Sequence, residues 1–190
     1  MNKKIWIIIA IVIVLFALGM YKVFANNFGK EIDMSDKKVL IAYYSYSGNT
    51  KAAAEKIQSV TGGDLFEIKP VKDYPKDYNT VVNQAQVEKQ NGIHPELKDN
   101  GNVEPYDIIF IGTPVWWYTM ASPVKTFLSN NNFDGKIIVP FCTHGGGGAS
   151  STYTDMQKLA PTAKVIEGYT TYEDSANVND IKKWISNLNF

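Results

Sequence analysis

The sequence predicts an α/β fold, an open parallel sheet of five strands with helices between them, and three observations carry that prediction. Apolar runs of strand length alternate with segments of helical periodicity along residues 37–188. The strand runs are apolar throughout, which suits strands buried on both faces. Those at 106–112 and 136–142 are each closed by a Gly, Pro or hydroxyl residue, where a strand would turn towards a helix. With 190 residues and 45% hydrophobic composition, the chain is long enough for one domain with a sizeable core.

The elements follow in order. "MNKKIWIIIAIVIVLFALGMYKVFAN" opens with two lysines and is apolar from Ile5 to Met20, with Val23 and Phe24 extending it past Lys22. Residues 5–24 as a helix would span about 30 Å, the thickness of a bilayer's hydrocarbon layer, if Lys22 snorkels. Residues 1–25 are therefore expected to be a membrane-directed helix, a retained anchor with a cleaved signal as the alternative. The Lys-Lys start resembles an export signal and places the rest extracytoplasmic and membrane-associated, or secreted if the signal is cut. A polar linker, 26–37, leads to the domain, 38–190.

Strands are expected at "KKVLIAYY" (37–44), "DLFEIK" (64–69), "YDIIFIG" (106–112), "KIIVPFC" (136–142) and "AKVIEGY" (163–169). Helices are expected at 50–60, 78–90, 121–130, 151–160 and 177–188, the third opened by Pro123, whose missing N–H costs nothing in a first turn. The stretch 71–105 is the least patterned and reads as a solvated helix with a surface loop around His94, although Tyr74 and Tyr78 could bring rings towards a site.

Composition excludes several functions. Lys3, Lys4 and Lys22 lie in residues 1–25, so the remainder holds 16 basic and 19 acidic residues, a net charge of −3. No basic stripe is left to neutralise phosphates, so no nucleic-acid partner is expected. Every basic residue is Lys, so a bound anion must be held by backbone N–H groups, hydroxyls or ammonium groups and not by a guanidinium fork. Cys142 is the single cysteine, and His94 and His144 are the only histidines. That inventory offers no disulfide, no CxxC pair and no metal site.

In a parallel sheet the chemistry sits outside the carboxyl ends of the strands, where three loops stand out. "SYSGNT" (45–50) offers a glycine, three hydroxyls and the positive end of the following helix, a geometry that holds a phosphate without arginine, though such a turn can also be a plain helix cap. It matches neither GxxxxGK[ST] nor GxGxxG. "GTPVWWYTMASP" (112–123) places Trp116, Trp117 and Tyr118 after a buried strand, where they either fill core or stack on a flat ligand. "CTHGGGGASS" (142–151) lets backbone approach a ligand closely, or is a flexible link. An esterase reading of "HGGGG" fails for want of a G-x-S-x-G elbow. Phosphate turn, flat aromatic surface and backbone-lined edge together suit a phosphorylated flavin.

At this point "VLIAYYSYSGNT", "DIIFIGTPVWWYTMASPVKTFL" and "GKIIVPFCTHGGGG" resemble the flavodoxin family, over roughly 38–190. The resemblance implies a flavodoxin-like doubly wound sheet in strand order 2-1-3-4-5, with FMN at the switch between the first and third strands. It implies that Ser45, Ser47, Gly48, Asn49 and Thr50 bind the FMN phosphate. Thr113, Pro114, Trp116 and Trp117 would line the ring and ribityl chain, with Trp116 the expected stacking residue. Thr143, His144, Gly145 and Gly146 would meet the pyrimidine edge, and Tyr46, Val115 and Tyr118 complete the cofactor-binding set. No catalytic acid or base is implied, because electron transfer needs only approach of the ring edge. The second loop has no glycine between Pro114 and Pro123, unlike one built for an easy peptide flip.

The leading expectation is an FMN-binding redox protein, membrane-tethered or exported, exchanging electrons with a redox protein or small electron acceptor. The alternative is an FMN-dependent reductase of quinones using NAD(P)H, with Tyr118 and His144 over the ring. A flavin-free adaptor of the same fold is the third.

Overall fold

The computed structural model describes Met34 and residues 36–190. The segment expected to enter a membrane, 5–24, lies outside them; among the described residues no helix is long and apolar enough to cross a membrane.

All five residues of strand β1 (Val39–Tyr43) are buried, as its unbroken apolar character requires. Helix α1 (Asn49–Thr61) buries Thr50, Ala53, Ala54 and Ile57, the i, i+3, i+4, i+7 stripe of a helix laid on a sheet. Strand β2 (Asp64–Glu67) follows, then α2 (Tyr78–Asn91), whose N-cap Asp77 accepts a hydrogen bond from the Thr80 N–H at 2.9 Å. Strand β3 (Ile108–Trp116) folds back as β4 (Thr119–Met120) before α3 (Ser122–Asn130), with Pro123 in its first turn. Strand β5 (Ile137–His144), α4 (Thr152–Leu159), β6 (Lys164–Val165), β7 (Tyr169–Tyr172) and α5 (Val178–Ser186) complete the chain.

The sheet runs β2-β1-β3-β5-β6, with parallel pairing along that path. Ile41 pairs with Phe110, and Phe110 with Val139, so the register aligns the carboxyl ends of the three central strands. On one face Leu40, Ala42, Ile109, Ile111 and Ile138 pack with Val81, Val124, Phe127 and Met156 from α2, α3 and α4. The other buries Ile41, Phe110 and Phe141 beneath α1 and α5, where Trp184 meets Phe110 edge-on at 5.8 Å. Burying each such side chain contributes about 1.5–3 kcal/mol relative to exposure, so this double-sided core holds the loops in place.

Two elements differ from expectation. The fifth strand, read as one run at 163–169, is split: β6 pairs with the start of β5 and β7 with its end. The register slips by one residue between them, from Ile138↔Val165 to Phe141↔Tyr169. Pro140 lies at the slip. The carbonyls of Ile138 and His144 accept from Ile166 and Glu173, so the even residues of β5 face this edge, and Pro140 has no N–H to offer there. Gly168 fills the gap; a Cβ on it would lie 2.5 Å from the Tyr153 ring and 2.9 Å from the Pro140 carbonyl oxygen. The second difference is that β3 continues through the expected loop to Trp116, pairing Thr113 and Pro114 with Cys142 and Thr143.

Candidate functional site

Gly48 sits at the N-cap of α1 with φ 95°, and no side chain caps the helix. The hydroxyls therefore do not serve as a cap. Ser45 Oγ accepts from the Gly48 N–H at 3.2 Å, while Ser47 and Gly48 are exposed. A Cβ placed on Gly48 meets nothing within 4 Å, so the first-turn N–H groups and the positive end of the helix open outward. The hydroxyl of Thr50 is not at this opening. Thr50 and Thr143, 1% and 4% exposed, place their Oγ1 atoms 2.8 Å apart and so tie the first and third loops together underneath.

The second loop is a hairpin. Val115 and Trp116 pair antiparallel with Met120 and Thr119, which leaves Trp117 and Tyr118 as a two-residue turn. Their φ values, 50° and 67°, are those a tight hairpin turn demands and glycine normally supplies. Other contacts hold them there. The Trp117 indole N–H donates to the Val82 carbonyl at 2.9 Å, and Lys89 Nζ donates to the Trp117 carbonyl at 2.6 Å. The Tyr118 carbonyl accepts from both the N–H and the hydroxyl of Ser151, at 3.0 and 2.8 Å. Thr113, fully buried, uses its hydroxyl to donate to the Pro114 carbonyl and accept from the Ala121 N–H. Trp116 is braced edge-on by Tyr74, Tyr44 and Tyr46, with ring centres 5.0, 5.6 and 5.8 Å away.

In the third loop His144 Nδ1 accepts from the Gly146 N–H at 2.9 Å, so a proton on the ring sits on Nε2. Gly146 has φ 132°, and Ser150, at φ 48°, donates to the Gly147 carbonyl. Gly145 and Gly146 are exposed, presenting main chain.

Between hairpin, glycine loop and α2 lies a cleft of about 380 Å³. Tyr46, Val115, Trp116, Trp117 and Tyr118 line it with His144, Gly145, Gly147 and Ser150. Tyr46, whose hydroxyl donates to the Pro75 carbonyl at 2.7 Å, is the one residue of the phosphate-type turn that reaches it. Its remaining wall is Tyr78, Val81, Val82 and Ala85 of α2; of these the sequence raised only Tyr78 as a ring that could reach a site, although their i, i+3, i+4, i+7 spacing is that of a helix face turned to one surface.

Burial, followed by the bond to Glu88, pushes Tyr74 well above the ordinary phenol value, and burial does the same to Tyr44. Cys142 is fully buried and burial raises its thiol, so it fills space at the end of β5. Among the described residues no group of three His, Cys, Asp or Glu side chains converges on a metal position.

Residues 38–188 match the family model described as flavodoxin. The chain belongs to the flavodoxin family. Its architecture is shared with solved flavodoxin-like structures. A flavoprotein of Lactobacillus acidophilus solved in complex with FMN is 32% identical, covering 78% of this chain and 98% of that one, with a TM-score of 0.63. Candidate flavoproteins of Bacteroides uniformis and Bacteroides eggerthii are each 30% identical over 78% of this chain and 97% and 96% of theirs, with TM-scores of 0.72 and 0.70. No curated protein sequence matches the chain. This flavodoxin carries its three expected loops at the carboxyl end of the sheet, linked by the Thr50–Thr143 contact and by Ser151 against Tyr118.

Proposed function

We propose that this flavodoxin binds FMN at the three loops and exchanges electrons with a redox protein or small electron acceptor. The observation that carries the reading is the uncapped start of α1 behind Gly48, an anion site built from backbone in a chain without arginine. The cleft beside it, joined through Tyr46, offers the apolar floor a flavin ring needs, and the 32%-identical relative solved with FMN supports the same occupant. FMN when bound would supply the electron transfer.

The chain's own residues would do the rest. The N–H groups beyond Gly48, with Ser47 and Asn49, would hold the phosphate. Trp116 and its three tyrosines would keep water from one face of the ring, and Nε2–H of His144 with the N–H groups of the glycine loop would meet polar ring atoms. Residues 5–24 would tether the domain to a membrane, on its outer side, a part of the proposal that rests on sequence. A second reading, reduction of quinone-type acceptors with NAD(P)H, is favoured by Tyr78 and Tyr118, 74% and 67% exposed at the cleft rim, where a flat acceptor could stack.

A visible spectrum of the full chain purified with added FMN tests the first reading. Flavin bands shifted from those of free FMN are expected, and a colourless protein would overturn it. NAD(P)H oxidation on adding quinone separates the second reading from a carrier, which would turn over only with a separate reductase.

A further inference from the structure

Position 88 lies on the buried stripe of α2, following Val81 and Ala85 at helical spacing, and both of those residues line the cleft. Everything about that position calls for an apolar side chain, yet it holds Glu88, 5% exposed. Both carboxylate oxygens accept hydrogen bonds, Oε2 from the Tyr74 hydroxyl at 2.6 Å and Oε1 from Gln84 at 2.9 Å. Acceptance at both oxygens is the pattern of an ionised carboxylate. No lysine comes within ion-pair distance of it among the described residues. Lys125 of α3 is close enough to feel its charge, but burial outweighs that attraction and pushes the Lys125 ammonium down.

A buried carboxylate without a cation is costly, and a leucine would fill the space at no such cost. The charge is also tied to the cleft. Its partner Tyr74 is itself buried and packs edge-on against Trp116 at 5.0 Å, the closest of the three braces on that ring. Glu88 therefore holds the Tyr74 hydroxyl, Tyr74 holds Trp116, and Trp116 lines the cleft.

We propose that Glu88 is a positioning residue for the cofactor: through Tyr74 it fixes Trp116, and its buried charge makes the flavin bound beside it harder to reduce. The proposal rests on FMN occupying the cleft. Two electrons from the reductant, dithionite in the test below, taken up with one proton would leave one added negative charge on the bound ring, and a fixed negative charge behind the ring's floor opposes that addition. Such a charge shifts a neighbouring equilibrium by about tenfold.

The test compares the full-length wild type with Glu88→Gln, Glu88→Asp and Tyr74→Phe. FMN affinity is read by flavin fluorescence, and the two-electron potential by dithionite reduction against a reference dye. Glu88→Gln, which keeps the shape and removes the charge, is expected to raise the ratio of affinities for reduced over oxidised FMN about tenfold, equal to about 30 mV upward for a two-electron couple. Glu88→Asp keeps the charge and should hold the wild-type ratio. Tyr74→Phe should weaken oxidised FMN several-fold by freeing Trp116. If Glu88→Gln does not fold, Glu88→Met, which needs no hydrogen-bond partner, carries the same expected rise. A wild type that takes no FMN overturns the cofactor reading and this proposal with it. A wild type that binds FMN beside a neutral variant of unchanged ratio overturns this proposal alone.

Discussion

Two glycines of α1 allow its phosphate-type turn to be tested against an internal control. Gly48 occupies the position before the uncapped start of the helix at φ 95° and Gly62 the position after its end at φ 71°, and a Cβ on either meets nothing within 4 Å. Neither substitution to alanine creates a clash, so each carries only the conformational penalty of an L residue held at positive φ, about 1–2 kcal/mol. Gly48→Ala and Gly62→Ala should therefore lower stability of the protein without FMN by similar amounts, read as the shift in urea midpoint at constant slope. They should part company on FMN. A methyl group added at Gly48, at the mouth of the helix start, is expected to obstruct a phosphate approaching the first-turn N–H groups, and losing even one charge-assisted bond there costs about 1.5–3 kcal/mol, tenfold or more in affinity. Gly62, at the far end of the helix, should leave affinity at the wild-type value. Equal affinity losses in the two variants, or none in either, would show that the turn does not hold the phosphate.

Three further outcomes are expected. Thr50→Val or Thr143→Val alone strands a buried hydroxyl and should cost about 1–3 kcal/mol in chemical denaturation, whereas the double variant should cost much less than the sum of the two. Asp155 accepts from Thr119, Ser151 and Lys158; burial works to raise its carboxyl, but those bonds together hold it below its ordinary value of 3.8. A depressed folded value means stabilisation present above 3.8 and lost as pH falls through the folded value, so the penalty of Asp155→Asn should be full at pH 7 and shrink in denaturation curves taken below about pH 4. Tyr118 is 67% exposed at φ 67°, so Tyr118→Gly relieves strain while giving up little burial, and its melting temperature should not fall below that of the wild type.

The sheet was legible because its determinants are local. Five helices stand within two residues of their expected bounds, since the stripe of α1, the Pro123 start of α3 and the apolar runs of β1, β3 and β5 are written in consecutive residues. The split fifth strand was not, because the cause, an absent N–H at Pro140, lies in the neighbouring strand and takes effect only through pairing. The hairpin was missed for a related reason. A two-residue turn is recognised by Asn-Gly or its kin, and Trp117-Tyr118 carries no such mark. The same gap separates residue type from role at the site. Ser45, Thr50, Thr113 and Thr143 all read as polar groups at strand ends, and only the folded chain distinguishes the exposed turn from three hydroxyls whose bonds are made inside.

The hairpin's cost points to what it is for. Among the described residues four non-glycine residues have positive φ: Trp117, Tyr118 and Ser150 line the cleft, and Glu173 donates its N–H to the carbonyl of His144, which also lines it. Each such residue costs of order 1–3 kcal/mol and persists only where neighbours over-determine it. Those neighbours come from three elements: Val82 and Lys89 of α2 hold Trp117, Ser151 ahead of α4 holds Tyr118, and β5 holds Glu173. Since both carbonyls at the hairpin tip are already taken, by Lys89 and by Ser151, turning a peptide over at the tip would break the bond from Lys89 or the pair from Ser151. The absence of glycine in this loop and the cross-links at its tip are thus one device, which fixes the aromatic wall of the cleft before any ligand arrives.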